Sequence, residues 1–164
     1  MRPSSEAVLS PGLARTIAVV RIATAVFFLL FGEYKLANGE FAHTLFPQYL
    51  KDYIETSALR SYVPFLRLIQ AHAPPFGYLV GIIESLIGIS LLLGLKVRAM
   101  SVVGVLFMMN LVACTWWEVG HSVPVWRYFG AELDHIPLLF LFLIFFAADA
   151  GTTWGMDGRR YGQK

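Results

Sequence analysis

The chain has 164 residues, of which 57% are hydrophobic, with a formal net charge of +2 and a mean hydropathy of +0.61. That length allows one domain, and the composition is too apolar for an ordinary soluble domain of this size. The small, scattered positive charge gives no basis for nucleic-acid binding. The single cysteine, Cys114, excludes an intramolecular disulfide, and the absence of a CxxC pair argues against thiol–disulfide chemistry.

Taken in order, residues 1 to about 12 read as a polar tail punctuated by Pro11 and Gly12. The first span covers about 13–37. It carries Arg21, which is expected to snorkel to the interface, and closes in the polar run Gly32-Glu33-Tyr34-Lys35. With Arg21 inside it and no A-x-A-like cleavage site, this span is expected to be a retained helix, not a signal peptide.

A long connection follows. Within it Leu59, Tyr62, Val63, Leu66 and Ile69 recur at helical spacing. The pattern predicts an interfacial helical segment over about 55–73, limited by Pro47 and Pro64 and ended by Pro74-Pro75. A helix packed on the outer end of the bundle fits the same pattern.

The second span, about 76–95, is about 20 residues long, enough to cross roughly 30 Å of hydrocarbon. Gly81, Ser85 and Gly88 lie on it at a spacing that permits close helix approach. The short basic hinge Lys96-Val97-Arg98 leads to the third span, about 99–117, expected to be its antiparallel neighbour and to end on Trp116 and Trp117. The next connection holds Glu118, His121, Arg127, Glu132 and Asp134. The fourth span, about 135–150, is apolar all round, and a turn-rich basic tail closes the chain.

The expected fold is therefore all-α: one membrane domain over residues 1–164, a polytopic four-helix bundle with the extra interfacial segment between its first two helices. Four spans put both termini on one side. The basic hinge and tail place that side in the cytoplasm, so the chain is expected to be a multi-pass protein of a bacterial-type plasma membrane, N-in and C-in.

Glu84 is the residue that most needs explaining. A carboxylate about eight residues into a span lies roughly 12 Å deep, where it costs on the order of 3 kcal/mol and must face protein or water. Asn110 falls at a similar level, and Glu33 and Lys35 lie within a turn of the outer end of the first span. These four define a polar pocket in the outer half of the bundle. Either Glu84 meets a quinone head group there, with Asn110 positioning a carbonyl, or it bonds to Lys35, Asn110 or a neighbouring helix and orders the bundle.

His43, His72, His121 and His135 all fall on the outer side, and none is mid-span. Their spacing fits no compact metal motif and no intramembrane haem. Cys114, between Ala113 and Thr115, reads as a small packing residue. No covalently bound cofactor is expected.

The run RIATAVFFLLFGEYKLAN, the run GIIESLIGISLLLGLKVRAMSVVGVLFMM and the ending GTTWGMDG with Asp157 resemble, in order and spacing, the DoxX family of small four-helix membrane proteins. That resemblance implies a membrane subunit near quinone chemistry. Family members look like the small subunit of a terminal quinol oxidase or of a thiosulfate:quinone oxidoreductase, and others are linked to the assembly of membrane or secreted partners. The leading expectation is an accessory, non-redox subunit that lies in the lipid bilayer beside larger cofactor-bearing subunits and is not an enzyme on its own. An assembly factor or chaperone is the second reading, and a small oligomeric transporter the third.

Overall fold

In a computed structural model the described residues are 9–37, 39–57, 59–115 and 134–161. All regular elements among them are helical. The order is α1 (Pro11–Ala37), a π-helical turn (Phe41–Leu45), α2 (Phe46–Thr56), α3 (Val63–Ala71), α4 (Ala73–Leu93), α5 (Val97–Thr115), α6 (His135–Ala147) and α7 (Met156–Tyr161). Among them α1, α4 and α5 are long and apolar enough to cross a membrane; at about 1.5 Å per residue they reach roughly 40, 32 and 28 Å. The apolar helix α6 has 13 residues, roughly 20 Å.

In α1 the buried positions are Ala18, Arg21, Thr24, Ala25, Phe28 and Gly32, one stripe at helical spacing. The rest of its surface stays apolar and exposed, as at Val19, Val26, Phe27 and Phe31, which is what a lipid-facing helix requires. In α4 the matching stripe is Ala73, Gly77, Gly81, Glu84, Gly88 and Leu91. The two stripes meet. A Cβ at Gly88 would sit 3.0 Å from the backbone nitrogen of Leu29, and one at Gly32 would sit 2.9 Å from that of Ser85. The small-residue spacing of the sequence thus serves a seam between α1 and α4. α5 packs mainly on α6 and less on α4, its hinge neighbour. Phe142 of α6 closes on Gly104 of α5 and meets Phe28 of α1 edge-on at 5.5 Å.

Several boundaries differ from expectation. Pro74 and Pro75 do not end a segment. They lie in the first turn of α4, where a missing N–H costs nothing and the fixed φ suits the helix. α4 stops at Leu93 because Gly94 adopts φ +63°. The single segment at 55–73 is two helices: α2 begins as early as Phe46 and ends at Thr56, and α3 begins at Val63. Leu50, Leu66, Ala73 and Cys114 form one buried cluster, so the connection packs on the N-terminal end of α4 and the C-terminal end of α5 as a cap. The fourth span ends at Ala147, and the third is described to Thr115. Trp116, Trp117, Glu118, His121, Arg127 and Glu132 lie outside the described residues, as does the polar tail before Leu9.

Arg21 does not snorkel. It is fully buried because acceptors converge on it. Its Nη1 donates to the carbonyl of Leu91 at the end of α4, and its Nη2 to those of Thr153 and Trp154 at 3.4 Å. The tail is thereby drawn onto the α4–α5 hinge. Asp157 accepts from the backbone N–H groups of Lys96 at 2.8 Å and Val97 at 3.0 Å, covering the N-terminus of α5 as a capping carboxylate does. Its own N–H donates to the Gly94 carbonyl at 2.9 Å. Gly155 and Gly94 are in backbone contact, so no side chain fits between tail and hinge. Arg98 adds an exposed pair to Asp149 at 3.4 Å.

Replacing Asp157 with Ala is expected to destabilise the protein by about 1–2 kcal/mol, with Asp157→Asn closer to the parent because the amide oxygen still accepts. Thermal unfolding in detergent measures both.

Candidate functional site

The α1–α4 seam determines where Lys35 goes. A Cβ at Gly81 would lie 3.1 Å from the Cβ of Lys35, so the two backbones are close one turn before Glu84. Across that gap Lys35 Nζ donates to Glu84 Oε1 at 2.5 Å. The pair is shielded: the side chains are 15% and 8% exposed. The ammonium also lies 5.1 Å from the ring centre of Phe41 and 5.9 Å from that of Phe31, where ring faces favour a cation. Glu84 Oε2 is buried with no hydrogen-bond partner among the described residues.

The pair lies in the wall of a cavity of about 990 Å³, at the upper end of what ligand sites usually enclose. The cap supplies Phe41, Phe46, Tyr49, Leu50, Tyr53, Phe65, Leu66 and Ile69, and the long helices supply the remainder, including Phe28, Ile83, Phe107 and Met108. Most of the wall is apolar. The cavity is partly open, and its lining includes Phe27, Leu30 and Phe31 of α1 and Leu79 of α4, all strongly exposed on the outer surfaces of membrane-length helices. The opening is therefore bounded by the surface that would face acyl chains.

Of the four residues selected from sequence, Lys35, Glu84 and Asn110 line this cavity. Glu33 does not; it is exposed, because two positions along a helix from Lys35 is a turn of about 200° onto the far face. Asn110 does not bond to Glu84. Its Oδ1 accepts from the Tyr62 hydroxyl, tying the turn between α2 and α3 to α5. Burial, with the Cys114 thiol nearby, pushes that hydroxyl up to about 12, so it remains a donor through the physiological range. The aromatic wall of the cap went unrecognised in the sequence, although Phe46, Tyr49, Leu50 and Tyr53 carry a three-and-four spacing that marks a helix face.

The remaining candidates are dispersed. His43 meets Tyr78 edge-on at 5.8 Å, and His72 Nδ1 lies 3.3 Å from the Leu68 carbonyl. His135 lines the cavity beside Asp134, while His121 is outside the described residues. Among the described residues no three His, Cys, Asp or Glu side chains gather as a metal site. Cys114 is buried in the cap cluster and also borders the cavity.

Membrane-length apolar helices around a lipid-side cavity define a multi-pass membrane protein. The DoxX family model matches residues 16–117, and the chain belongs to that family. No curated protein and no solved structure matches the chain.

Removing one member of a buried ion pair strands the other charge. Lys35→Met or Glu84→Leu alone is expected to destabilise the fold by about 3 kcal/mol or more, and the double variant Lys35→Met/Glu84→Leu by much less than their sum. Detergent-solubilised unfolding curves of all four proteins give the coupling.

Proposed function

We propose that this DoxX-family protein is an accessory subunit of a quinone-linked membrane complex, holding a quinone-class amphiphile beside a larger cofactor-bearing partner without carrying electrons itself. The observation that supports this reading most is the cavity: apolar walls, a few polar groups at one place, and an opening among lipid-facing side chains. Those are the features a long-tailed ligand with a polar head group needs when it arrives from the bilayer and not from water. When bound, the quinone supplies two-electron chemistry, and the partner supplies the electrons. The chain's own residues bind and orient: the aromatic wall stacks on the head group, the Asn110 amide positions a carbonyl, and Glu84 stands as the proton acceptor beside it. The quinone connection is also what the family resemblance implies.

In this reading α6 completes a four-helix membrane bundle with α1, α4 and α5. The Arg21–Asp157 end lies toward the cytoplasm and the aromatic cap lies on the outer side, with both termini inside.

Tagged protein extracted in mild detergent from its native membranes is expected to bring down a cofactor-bearing partner at fixed stoichiometry, with about one quinone per chain in the organic extract. Recovery as a quinone-free homo-oligomer overturns the proposal. Substoichiometric association together with loss of partner abundance supports an assembly factor instead. For orientation, a reporter that folds only in the cytoplasm is expected to be active when fused after Lys164, and an inactive fusion reverses the topology.

A further inference from the structure

We infer that the end of the bundle formed by the hinge and the tail, opposite the cap, is a binding site for an anionic phospholipid. The phosphate meets Lys96 and Arg98, an acyl chain runs along Leu143 and Phe146, and Trp154 stands at the glycerol level. The site is separate from the cavity and does not depend on its ligand. Helices α4 and α6 end at Leu93 and Ala147, and α5 begins at Val97. Hinge and tail therefore share one level, where a membrane-length bundle meets head groups. Lys96 and Arg98 are exposed there. The Lys96 ammonium has no ion-pair partner among the described residues. The Arg98–Asp149 pair is itself exposed and so worth little. Asp157 is held against the backbone N–H groups of Lys96 and Val97. With Arg159 exposed and Arg21 buried close by, positive charge prevails at this end. The cap end is different: Lys35 and Lys51 are each paired with a glutamate, and Arg60 and Arg67 are offset by Glu33, Glu40 and Asp52.

The apolar neighbours favour a lipid over a free phosphate. The Arg98 guanidinium lies 4.8 Å from the ring centre of Phe146. That ring is exposed on α6, with exposed Leu143 three residues before it on the same face. Charge and acyl-facing surface are thus continuous, and a phosphate that carries a chain uses both. Trp154 is 61% exposed, and Met156 is exposed two residues on; an indole at this level is an interfacial anchor. The backbone points the same way. Lys96, Asp149 and Trp154 are the non-glycine residues at positive φ among the described residues, at +53°, +46° and +53°. All three lie at this end. A bulky side chain in that region is an outlier, and such strain gathers at ligand sites. It persists here because Arg21 holds the Thr153 and Trp154 carbonyls inward, leaving the indole outside.

The test titrates the delipidated full chain in detergent with dioleoyl phosphatidylglycerol, dioleoyl phosphatidylcholine or glycerol 3-phosphate, and counts bound molecules by native mass spectrometry. Phosphatidylglycerol is expected to bind at least about tenfold tighter than phosphatidylcholine, the size that two surface cations give at an anionic membrane. Glycerol 3-phosphate, which lacks the chains, is expected to bind more weakly than phosphatidylglycerol by a similar factor. Lys96→Gln/Arg98→Gln is expected to bring the lipid preference to within about twofold, and Lys51→Gln/Arg67→Gln at the cap to leave it unchanged. Trp154→Gly separates a lipid contact from a structural role. Glycine relieves the positive φ, so this variant is expected to unfold at the same temperature or higher while its affinity for phosphatidylglycerol falls at least about threefold. If the charge variant does not fold, the three probes and Trp154→Gly decide. Equal binding of the two lipids, glycerol 3-phosphate binding as tightly as phosphatidylglycerol, or an unchanged preference in the charge variant overturns the inference. So does a Trp154→Gly protein that keeps its affinity, or loses it only together with its stability.

Discussion

The fold depends on how closely α1 and α4 approach. In lipid there is no hydrophobic gain from bringing two greasy helices together, so contact must come from close packing and from polar groups satisfied across the seam. Glycines on both sides provide the first: Gly32 lies against Ser85, and Gly81 and Gly88 lie against Lys35 and Leu29. The second follows from it. Only with the backbones this near does Lys35 reach Glu84 at 2.5 Å, and only with that partner is a carboxylate tolerable at 8% exposure. Packing and electrostatics are here one constraint, because a bulkier seam would separate the charges it was meant to bring together.

The other end of α1 solves the same problem differently. Arg21 is buried with no carboxylate in direct contact among the described residues; backbone carbonyls from the end of α4 and from the tail accept from it. Those carbonyls lie where helices and turns end, and the guanidinium draws these chain ends together. Asp157 does the complementary job on the free N–H groups at the start of α5. A cation for the C-terminal carbonyls and an anion for the N-terminal amides fasten hinge, tail and first helix into one knot. Two rigid ends, one an ion pair and one this knot, leave the middle of the bundle to be built from apolar contacts alone.

Much of this was readable in the residues. Hydrophobic runs located α1, α4, α5 and α6 to within a few residues, since length and apolarity are what a bilayer selects. The Gly81–Gly88 spacing pointed to a close helix contact, and the depth of Glu84 and Asn110 pointed to a shared level. What escaped were decisions made by tertiary partners. Periodicity does not say which of the three cations on α1, Arg15, Arg21 and Lys35, will be buried; Arg21 looked able to reach the interface and instead found carbonyls contributed by residues 70 to 133 positions away. The connection was misread because Pro47 looked like a limit, whereas it opens α2, and because Pro74-Pro75 looked like an end when it is a start. Proline marks helix boundaries without saying on which side the helix lies.

The cap explains why a cavity persists where a solid core would be expected. Interiors normally close to crystal-like density, and α1, α4, α5 and α6 do so near the hinge, where Phe142, Phe145, Ile87, Leu91 and Val97 are fully or almost fully buried. Toward the cap the geometry changes. α2 and α3 sit on the ends of α4 and α5, held by the Leu50–Leu66–Ala73–Cys114 cluster and by the Tyr62–Asn110 bond. Wide aromatic side chains there brace one another, as Phe41, Phe46 and Tyr49 do at centroid separations of 5.6 and 6.5 Å. Rings spaced edge to tilted face keep a wall standing without filling the space behind it. The charged pair is anchored at the junction of the two regions, with one carboxylate oxygen spent on holding the helices and the other left in the wall.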